Sequence, residues 1–461
     1  MTKKVYTVTD LGPGDGGKGG VVHAISTRMK PHTIVKVGGA QGSHGVATSR
    51  GERFAFSQWG CGTFEGTKTH ISSRMVVSPE GLLNEADALR YTGGIHDPFS
   101  LLTVDEEALC ATPYHGIASR LKEMARRNNP RGTIGTGVGE AYRGAQRFPQ
   151  LALFVRDLKR PDLREKLVAI REQILQDLAT VFPGEFLPED RETAAKEIER
   201  LHDDDFLNYV LRRLQEANRR LTIVDHEFLG REILSRDGVV IVESSHGVLN
   251  DCFHGFHPHT SAIRILPRFT QAMLKDAGYS GTVINLGVTR AYQIRHGAGP
   301  MPTFDPAMAE NLLPGSHKEK NRYQGKVRVG PLDLTLLRYA IEVCGGPTAF
   351  NGLAITWFDQ IQTNGAWLLC DRYRNVDDRT FFSPSGNLIV RYGDDAKQLA
   401  YQEALGEQLQ VCTPEITTYG LSPGAKREDL FALCAGVLNE RVGVPVRLVS
   451  FGPTERDKLF Q

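Results

Sequence analysis

Residues 11–20, LGPGDGGKGG, decide the fold of this chain. They follow residues 4–9 (KVYTVT), whose alternation predicts a strand, and they precede residues 21–25 (VVHAI), which predict the start of a helix. A strand, a glycine-rich turn and a helix in this order form the first unit of an α/β sheet. Six glycines in ten residues leave backbone N–H groups uncovered. A phosphate oxygen can therefore approach them closely.

Two charged side chains give this turn its chemistry. Lys18 places a mobile positive charge beside the amides, and Asp15 lies at the mouth of the turn. An acidic residue in an anion-binding loop is unfavourable unless it holds a metal or takes a proton. The combination indicates phosphate chemistry. No Gly-Lys-Ser/Thr follows a four-residue gap as in a Walker A loop, and a plain structural turn with a solvated lysine remains open.

The composition limits the classes of protein to which this chain can belong. The 461 residues contain 55 basic and 54 acidic side chains, a net charge of +1, so no global field favours nucleic acid or a membrane surface. The seven cysteines include no Cys-x-x-Cys pair, which favours reduced thiols. No signal peptide and no apolar run near the ~20 residues of a membrane span are present. We expect a cytoplasmic protein with small-molecule substrates and neither nucleic-acid nor membrane partners.

A second glycine-rich loop follows the next predicted strand. Residues 33–37 (TIVKV) predict the strand, and residues 38–45 (GGAQGSHG) form the loop. Its glycines do not match the Gly-x-Gly-x-x-Gly pattern of a dinucleotide site. His44 has only small neighbours in the sequence, so a ligand-facing role is plausible, and a buried structural histidine is an equally open interpretation.

The same strand-to-loop pattern returns along the chain. The further segments are a strand and helix at 75–93, a third glycine-rich loop at 132–139, and predicted strands at 238–243, 282–289, 353–359 and 446–450. We expect Asp359 at the end of its strand and residues 244–247 as a loop. In open α/β sheets ligands bind beyond the carboxyl ends of the strands, so these loops should gather on one edge.

Two segments differ from this pattern. Residues 150–235 carry charged and apolar residues at helical spacing, and they predict a helical insertion or subdomain. Residues 311–330 are polar and basic and predict a mobile loop. We therefore expect one α/β domain over residues 1–461, with a large, mostly parallel central sheet flanked by helices.

Nine segments in order resemble the adenylosuccinate synthetase family. The first, GDGGKG, is similar to that family's Gly-Asp-Glu-Gly-Lys-Gly, and the second is similar to its Gly-Gly-Asn-Asn-Ala-Gly-His-Thr. The nine are residues 14–19, 38–45, 132–142, 243–247, 287–292, 299–303, 329–333, 337–340 and 450–453. The resemblance implies a P-loop-NTPase-like sheet. It also implies a ligase that uses GTP to phosphorylate the 6-oxygen of IMP and displaces that phosphate with the amine of aspartate.

The resemblance also implies roles for particular residues. Asp15 would be the base that takes the N1 proton, and His44 the acid at the 6-oxygen. Mg²⁺ would bind Asp15 and the backbone carbonyl of Ser43. The phosphates of GTP would lie on a loop formed by Gly14, Gly16, Gly17, Lys18 and Gly19. Guanine would contact Asp359, Gly452 and Pro453.

Several positions depart from the family pattern. Gly16 replaces a glutamate, Gly20 replaces a lysine, and His246 replaces a glutamine that polarises the 6-oxygen. The 5′-phosphate site, which the family builds from one asparagine and two threonines, becomes Gln41, Ile134 beside Gly135, and Ser261. Other replacements are Thr136 for an arginine, Trp357 for a lysine near guanine, and residues 321–328 for the aspartate loop, in which Arg328 is the best match.

These changes keep two alternatives open. Losing one hydrogen-bonding partner of a charged ligand costs about 1.5–3 kcal/mol. The chain could therefore run the same chemistry on another oxo-substrate or amine donor, in a specialised or phage-linked pathway. It could also be a degenerate nucleotide-binding regulator, against which Asp15 and His44 together argue. The family further implies a homodimer in which an arginine reaches the neighbouring site, with Arg143 and Arg147 as candidates.

Overall fold

The structure is a computed structural model that describes residues 3–181, 186–313 and 320–461. The strands are β1 (Lys4–Asp10), β2 (Thr33–Gly39), β3 (His44–Ala47), β4 (Arg53–Phe56), β5 (Lys68–Val77), β6 (Leu102–Asp105), β7 (Leu109–Cys110), β8 (Thr222–Val224), β9 (Val239–Gly247), β10 (Thr282–Arg290), β11 (Tyr292–Arg295), β12 (Lys320–Asn321), β13 (Gly325–Lys326), β14 (Arg328–Asp333), β15 (Gly352–Thr356), β16 (Ala366–Arg374), β17 (Thr413–Gly420), β18 (Val446–Ser450) and β19 (Lys458–Phe460).

The helices follow the same order along the chain. They are α1 (Lys18–Met29), α2 (Pro79–Tyr91), α3 (Pro113–Ala125), α4 (Val138–Arg147), α5 (Leu163–Val181), α6 (Arg191–His202), α7 (Asp204–Arg220), α8 (Pro267–Asp276), α9 (Pro306–Leu312), α10 (Leu334–Val343), α11 (Phe358–Thr363), α12 (Ala396–Val411) and α13 (Arg427–Val442).

One large sheet runs through the described part of the chain. Its order is β19-β18-β15-β10-β1-β9-β2-β5-β6-β8, with β7 beside β5, and its neighbours are parallel except for β19 against β18. The predicted mostly parallel α/β fold is therefore confirmed. Strand β1 lies near the middle, between β9 and β10. Its carboxyl end delivers the first glycine-rich turn to the centre of the sheet edge.

Local sequence explains where the helices begin. Helix α1 starts directly after Gly17, which has a φ of 88° that a glycine adopts without strain. Helix α2 has Ser78 as its cap, with the hydroxyl accepting from the N–H of Gly81, and Pro79 occupies the first turn. Strands β2 and β15 are buried along their whole length, and β9 along nearly all of it, as their continuous apolar runs require.

Three local expectations need correction. Strand β9 continues through residues 244–247, which we predicted as a loop, because these residues still pair with β1 and β2. Asp359 is not at a strand end: β15 stops at Thr356, and Asp359 lies in the first turn of α11. Of the predicted mobile loop at 311–330, residues 314–319 lie outside the described residues. The rest includes the β12–β13 pair and the start of β14.

The segment 150–235 contains the predicted helices α5, α6 and α7. Their apolar residues, such as Leu167 and Leu207, share a core with Val8 of the central sheet. Strand β8 returns from this segment to pair with β6 at the sheet edge. That the segment forms a subdomain stays a prediction.

Candidate active site

The first turn is organised by a buried acid that closes β1. The Asp10 carboxylate accepts hydrogen bonds from the backbone N–H of Gly12 at 2.9 Å and of Gly16 at 2.8 Å. Its Oδ2 also lies 2.9 Å from Nζ of Lys18, and both side chains are almost fully buried. The turn is therefore bonded back onto the strand that delivers it.

Two other strands hold the same turn. Lys18 Nζ donates to the backbone carbonyl of His246 on β9 at 2.9 Å. The hydroxyl of Thr356, at the end of β15, donates to the carbonyl of Gly16 at 2.7 Å. Three separate strand ends thus fix the backbone of the turn and the Lys18 side chain.

Asp15 lies at the mouth of the turn in a left-handed backbone conformation, with a φ of 57°. Its Oδ2 lies 2.5 Å from Nε2 of His296, the residue after β11. The guanidinium of Arg290 donates to the Asp15 carbonyl at 2.6 Å and lies over the ring of Trp357, 4.4 Å from its centroid. A non-glycine residue at positive φ is uncommon, and these contacts hold it there.

His44 lies at the start of β3 and is bonded to an acid on the central sheet. Its Nδ1 is 2.6 Å from Oε1 of Glu243 on β9. The Glu243 carboxylate also accepts from Nζ of Lys36 at 2.8 Å and from the backbone N–H of Cys61 at 2.9 Å. Lys36 and Glu243 are direct neighbours on the adjacent parallel strands β2 and β9.

Burial and neighbouring charges set the protonation states of Glu243 and His44. Burial alone would raise the pKa of Glu243, but the Lys36 ammonium and the His44 hydrogen bond outweigh it and hold that pKa well below its usual range. Burial lowers the pKa of His44 to about 4, against the hydrogen bond to Glu243, which raises it. The unliganded imidazole is therefore neutral at pH 7, donates from Nδ1, and leaves Nε2 for a ligand.

The first two loops touch each other. A Cβ atom built on Gly19 would lie 2.4 Å from the carbonyl oxygen of Gly45, so α1 begins directly against the residue after His44. His246 Nε2 lies 2.7 Å from the amide nitrogen of Gln41. Burial, followed by the nearby Lys18 charge, lowers the pKa of His246 to about 3. The structure therefore brings four of the predicted site residues to one edge of the sheet. They are Lys18, Gln41, His44 and His246.

The predicted guanine end also comes together. Lys458 Nζ donates to the carbonyl of Gly452 at 2.6 Å. Burial lowers the pKa of Lys458 to about 8, and the neighbouring charges of Asp457 and Asp359 oppose that change. Lys458, which the sequence reasoning did not single out, thus contacts Gly452 and lies where the charge of Asp359 acts on its ammonium.

The predicted 5′-phosphate residues are less closely joined. A Cβ atom built on Gly39 would lie within 3 Å of side-chain atoms of Gln41, Val138 and Ile263, so the second loop, the start of α4 and the loop after Ser261 converge there. Within the described residues, no hydrogen bond joins Gln41 to Ile134 or Ser261. Ile134 is 47% exposed, and the Ser261 hydroxyl accepts from a backbone N–H two residues on.

Positive charge collects between the third loop and β14. Arg295 is buried and donates to the carbonyls of Ala298 and His259, at 2.9 and 3.2 Å. Arg328 donates to two further carbonyls of the loop 297–299, at 2.8 and 2.7 Å. In the part of the chain that the structure describes, neither guanidinium has a carboxylate within 4.0 Å. Burial, and then the Arg328 charge, lowers the pKa of Arg295 to about 9.

Two groups of residues offer atoms that can bind a metal ion, and only the first of them fits a cation. The Asp15 carboxylate and the Ser43 carbonyl offer the oxygen ligands that Mg²⁺ prefers, on two loops that touch. Among the described residues, His44, Cys61 and Glu243 also lie close enough to share an ion. The Lys36 ammonium at 2.8 Å already neutralises Glu243, so this trio acts as a hydrogen-bonded group and does not fit a cation.

Besides Lys458, sequence reasoning missed four residues that organise the site. They are Asp10, Lys36, Arg295 and His296. Glu243 was recognised only as the first residue of the segment 243–247. The available signals were small: a polar residue inside an apolar strand for Lys36, and an acid directly before a phosphate-type turn for Asp10.

Comparisons with known proteins decide the family. The family model described as adenylosuccinate synthetase matches residues 8–459. The chain belongs to the adenylosuccinate synthetase family. The adenylosuccinate synthetase of Thioalkalivibrio sulfidiphilus is 27% identical over 454 residues, covering 96% of this chain and 95% of that protein. That of Myxococcus xanthus is 26% identical over 451 residues, covering 95% and 94%.

Solved structures agree with the fold. The fully ligated adenylosuccinate synthetase of Plasmodium falciparum superposes with a TM-score of 0.74 at 16% identity, covering 99% of both chains. A succinoaminodeoxyadenylate synthetase of cyanophage S-2L, solved with dGMP and with dATP as an energy donor, gives 0.55 at 15% identity. That match covers 100% of this chain and 96% of the phage protein. None of the helices in the described residues has the length and apolar content of a membrane span.

Proposed function

We propose that this chain is a GTP-dependent ligase that joins IMP and aspartate to give adenylosuccinate. The observation that supports the proposal is the contact between the first two loops, which carry Lys18, Asp15 and His44, within a chain of this family. The alternatives of a different substrate pair and of a degenerate regulator are not favoured by the family match.

The first step needs a base at N1 of IMP and a hydrogen-bond donor at the 6-oxygen and the transferred phosphoryl group. Asp15 takes the N1 proton of IMP as the 6-oxygen becomes nucleophilic. His44 donates to the transferred phosphoryl group. Its imidazole is neutral before substrates bind. The negative phosphates of GTP, added to the Glu243 hydrogen bond, favour the protonated form in the complex.

The first turn binds the phosphates of GTP. The turn is held by Asp10 through the Gly16 amide, by Thr356 through the Gly16 carbonyl and by the end of β9 through Lys18, so its backbone needs no rearrangement to receive an anion. Asp15 and the Ser43 carbonyl would hold Mg²⁺, which would neutralise charge on the phosphate oxygens. Asp359 accepts from guanine, and Gly452 and Pro453 line that pocket.

The amine donor binds where positive charge is uncompensated. Arg328 and the buried Arg295 donate only to carbonyls in the described chain, so a ligand with two carboxylates matches the charge there. This supports aspartate as the donor. Gln41, Ile134 with Gly135, and Ser261 would lie along the nucleotide phosphate, with His246 near the 6-oxygen in place of the family's glutamine.

Assembly and location stay predictions. We propose a homodimer in which Arg143 or Arg147 reaches the neighbouring site; both side chains are more than half exposed. Light scattering during gel filtration tests this. The free state of all seven cysteines supports the predicted cytoplasmic location.

The test is turnover with the natural substrates. The protein is incubated with GTP, Mg²⁺, IMP and aspartate, and phosphate release is followed together with the absorbance change of the purine. We expect full turnover in the wild type. We expect none in Asp15→Asn or His44→Ala, with GTP affinity within a few-fold. Arg372→Ala, which removes an exposed ion pair with Glu415, is the control and should match the wild type. Activity in both Asp15→Asn and His44→Ala would refute the assigned roles.

A further inference from the structure

The first turn lacks the glutamate that the family carries at position 16. The backbone does not explain this glycine. Positive φ values occur at Gly14, Asp15 and Gly17, but not at Gly16. Any L-residue could adopt the backbone conformation there.

The neighbour that excludes a side chain at Gly16 is Asp10. A Cβ atom built on Gly16 would lie 2.8 Å from Cγ and from both carboxylate oxygens of Asp10. Real Cβ atoms essentially never approach other atoms that closely. The Asp10 carboxylate therefore occupies the space in which a side chain at position 16 would begin.

Asp10 is bonded as a functional part of the turn. Its three donors are two amides of the turn and the ammonium of Lys18, at 2.8 to 2.9 Å. Its side chain has no exposed surface, so the Lys18 charge is balanced inside the protein before any nucleotide arrives. A buried ammonium without such a partner would be strongly unfavourable.

We propose that Asp10 takes the place of the family's glutamate at position 16. The second carboxylate of the first turn then comes from the end of β1 and not from the turn itself. Asp10 is a positioning residue: it fixes the backbone of the turn by accepting from the Gly12 and Gly16 amides, and it positions Lys18 for the phosphates of GTP. The inference rests on the proposed use of this turn for GTP.

The proposal predicts that positions 10 and 16 are coupled. Asp10→Gly removes the carboxylate and should weaken binding of GTP with Mg²⁺ by about 10- to 100-fold, the worth of a hydrogen bond to a charged group. Gly16→Glu alone should weaken it at least as much, because the new Cβ meets Asp10. The double variant Asp10→Gly/Gly16→Glu should bind within about 10-fold of the wild type. Calorimetry with GTP and Mg²⁺ measures all four proteins.

A matched control lies in the helical segment. Asp157 is also buried and accepts from a backbone N–H and from Lys166, both at 2.9 Å. Asp157→Ala should change GTP affinity by less than about 2-fold. Asp10→Gly with wild-type GTP affinity, or a double variant that binds no better than the weaker single variant, would overturn the inference.

Two readouts separate this inference from the proposed function. Wild-type protein that binds GTP without ligating IMP and aspartate would refute the proposed function, and the four affinities would still test Asp10. The thermal midpoint of the unliganded proteins needs no nucleotide. There Gly16→Glu should be less stable than the double variant, and the opposite order would overturn the coupling.

Discussion

The two halves of the candidate site treat charge in opposite ways. In the phosphoryl half, which comprises the first two loops, each buried cation has an acid beside it: Lys18 has Asp10, and Lys36 has Glu243. In the donor half, which comprises Arg131, His259, Arg295 and Arg328, the described hydrogen bonds of Arg295 and Arg328 end on carbonyl oxygens.

The difference distinguishes buried cations whose charge is balanced within the folded protein from cations whose charge a bound ligand would balance. A buried ion pair is complete without substrate, so the phosphoryl half has its geometry before GTP binds. A buried guanidinium that meets only carbonyl dipoles keeps an unbalanced charge. An anionic ligand is the natural complement of that charge. Substitutions in the phosphoryl half should therefore affect folding and chemistry, whereas those in the donor half should affect donor binding.

The largest effect is expected from Glu243→Ala. The change leaves the Lys36 ammonium buried without its acid and removes the partner of His44. Breaking a buried pair from one side costs about 3–5 kcal/mol. We expect a large fall in the thermal midpoint together with loss of turnover.

A second variant shows whether the unpaired charge is the cause. Glu243→Gln/Lys36→Met removes both charges at similar volume and should regain much of the lost stability without regaining activity. Equal midpoints for the wild type and Glu243→Ala would show that the phosphoryl half does not depend on this pair.

Arg328→Ala tests the donor half. The guanidinium is only partly buried, and its contacts are with the loop 297–299, so the fold should persist. Loss of a charged hydrogen bond to the donor should raise the KM for aspartate by about 10- to 100-fold and leave the KM for GTP within a few-fold. Initial-rate kinetics at varied aspartate and GTP measure both. A change in the KM for GTP alone would show that Arg328 serves GTP binding and not donor binding.

His296→Ala should have a smaller effect. Nε2 of His296 lies 2.5 Å from the Asp15 carboxylate, so its loss frees the proposed base to reorient. We expect kcat to fall by about 10-fold, with a smaller fall for His296→Gln, whose amide can still donate. His226→Ala is the matched control, because that imidazole lies 3.0 Å from Asp105 at the far edge of the sheet. Unchanged kcat in His296→Ala would show that Asp15 needs no such partner.

The sequence predicts the loops of the site better than it predicts the buried side chains that pair beneath them. Glycine-rich turns after apolar runs indicate strand ends, and parallel topology brings those ends to one edge, so Lys18, His44 and His246 could be grouped in advance. Lys36 and Glu243 are 207 residues apart, and only the order of β2 and β9 makes them neighbours. No local pattern encodes that order.

Asp10 shows a different limit. A single acid at a strand end matches no motif, and Gly16 alone indicates only a missing side chain. Only the short distance between Asp10 and Gly16 in the structure shows that the two positions are related. The prediction for Asp359 was wrong for a local reason. Trp357 takes a left-handed conformation, with a φ of 61°, so β15 ends at Thr356 and α11 begins at Phe358.

The smallest expected effect is a proton taken up when the donor binds. Burial first, and then the charges of Arg295, Arg328 and Arg131, lower the pKa of His259 to about 4, against a hydrogen bond that raises it. A bound dicarboxylate favours the imidazolium, so the pKa of His259 rises in the complex. Between pH 4 and that higher pKa, binding takes up a fraction of a proton, and affinity for aspartate increases as pH falls.

Calorimetry at pH 6 in buffers of different ionisation enthalpy measures this uptake. His259→Gln should abolish it. His70→Gln should leave it unchanged, because His70 has a similar pKa of about 4 from burial but lies on β5, outside the donor half. Uptake that survives in His259→Gln would place the responsive group elsewhere. Proton release on binding would mean that the carboxylates do not reach these cations, and the contrast between the two halves would then reflect folding alone.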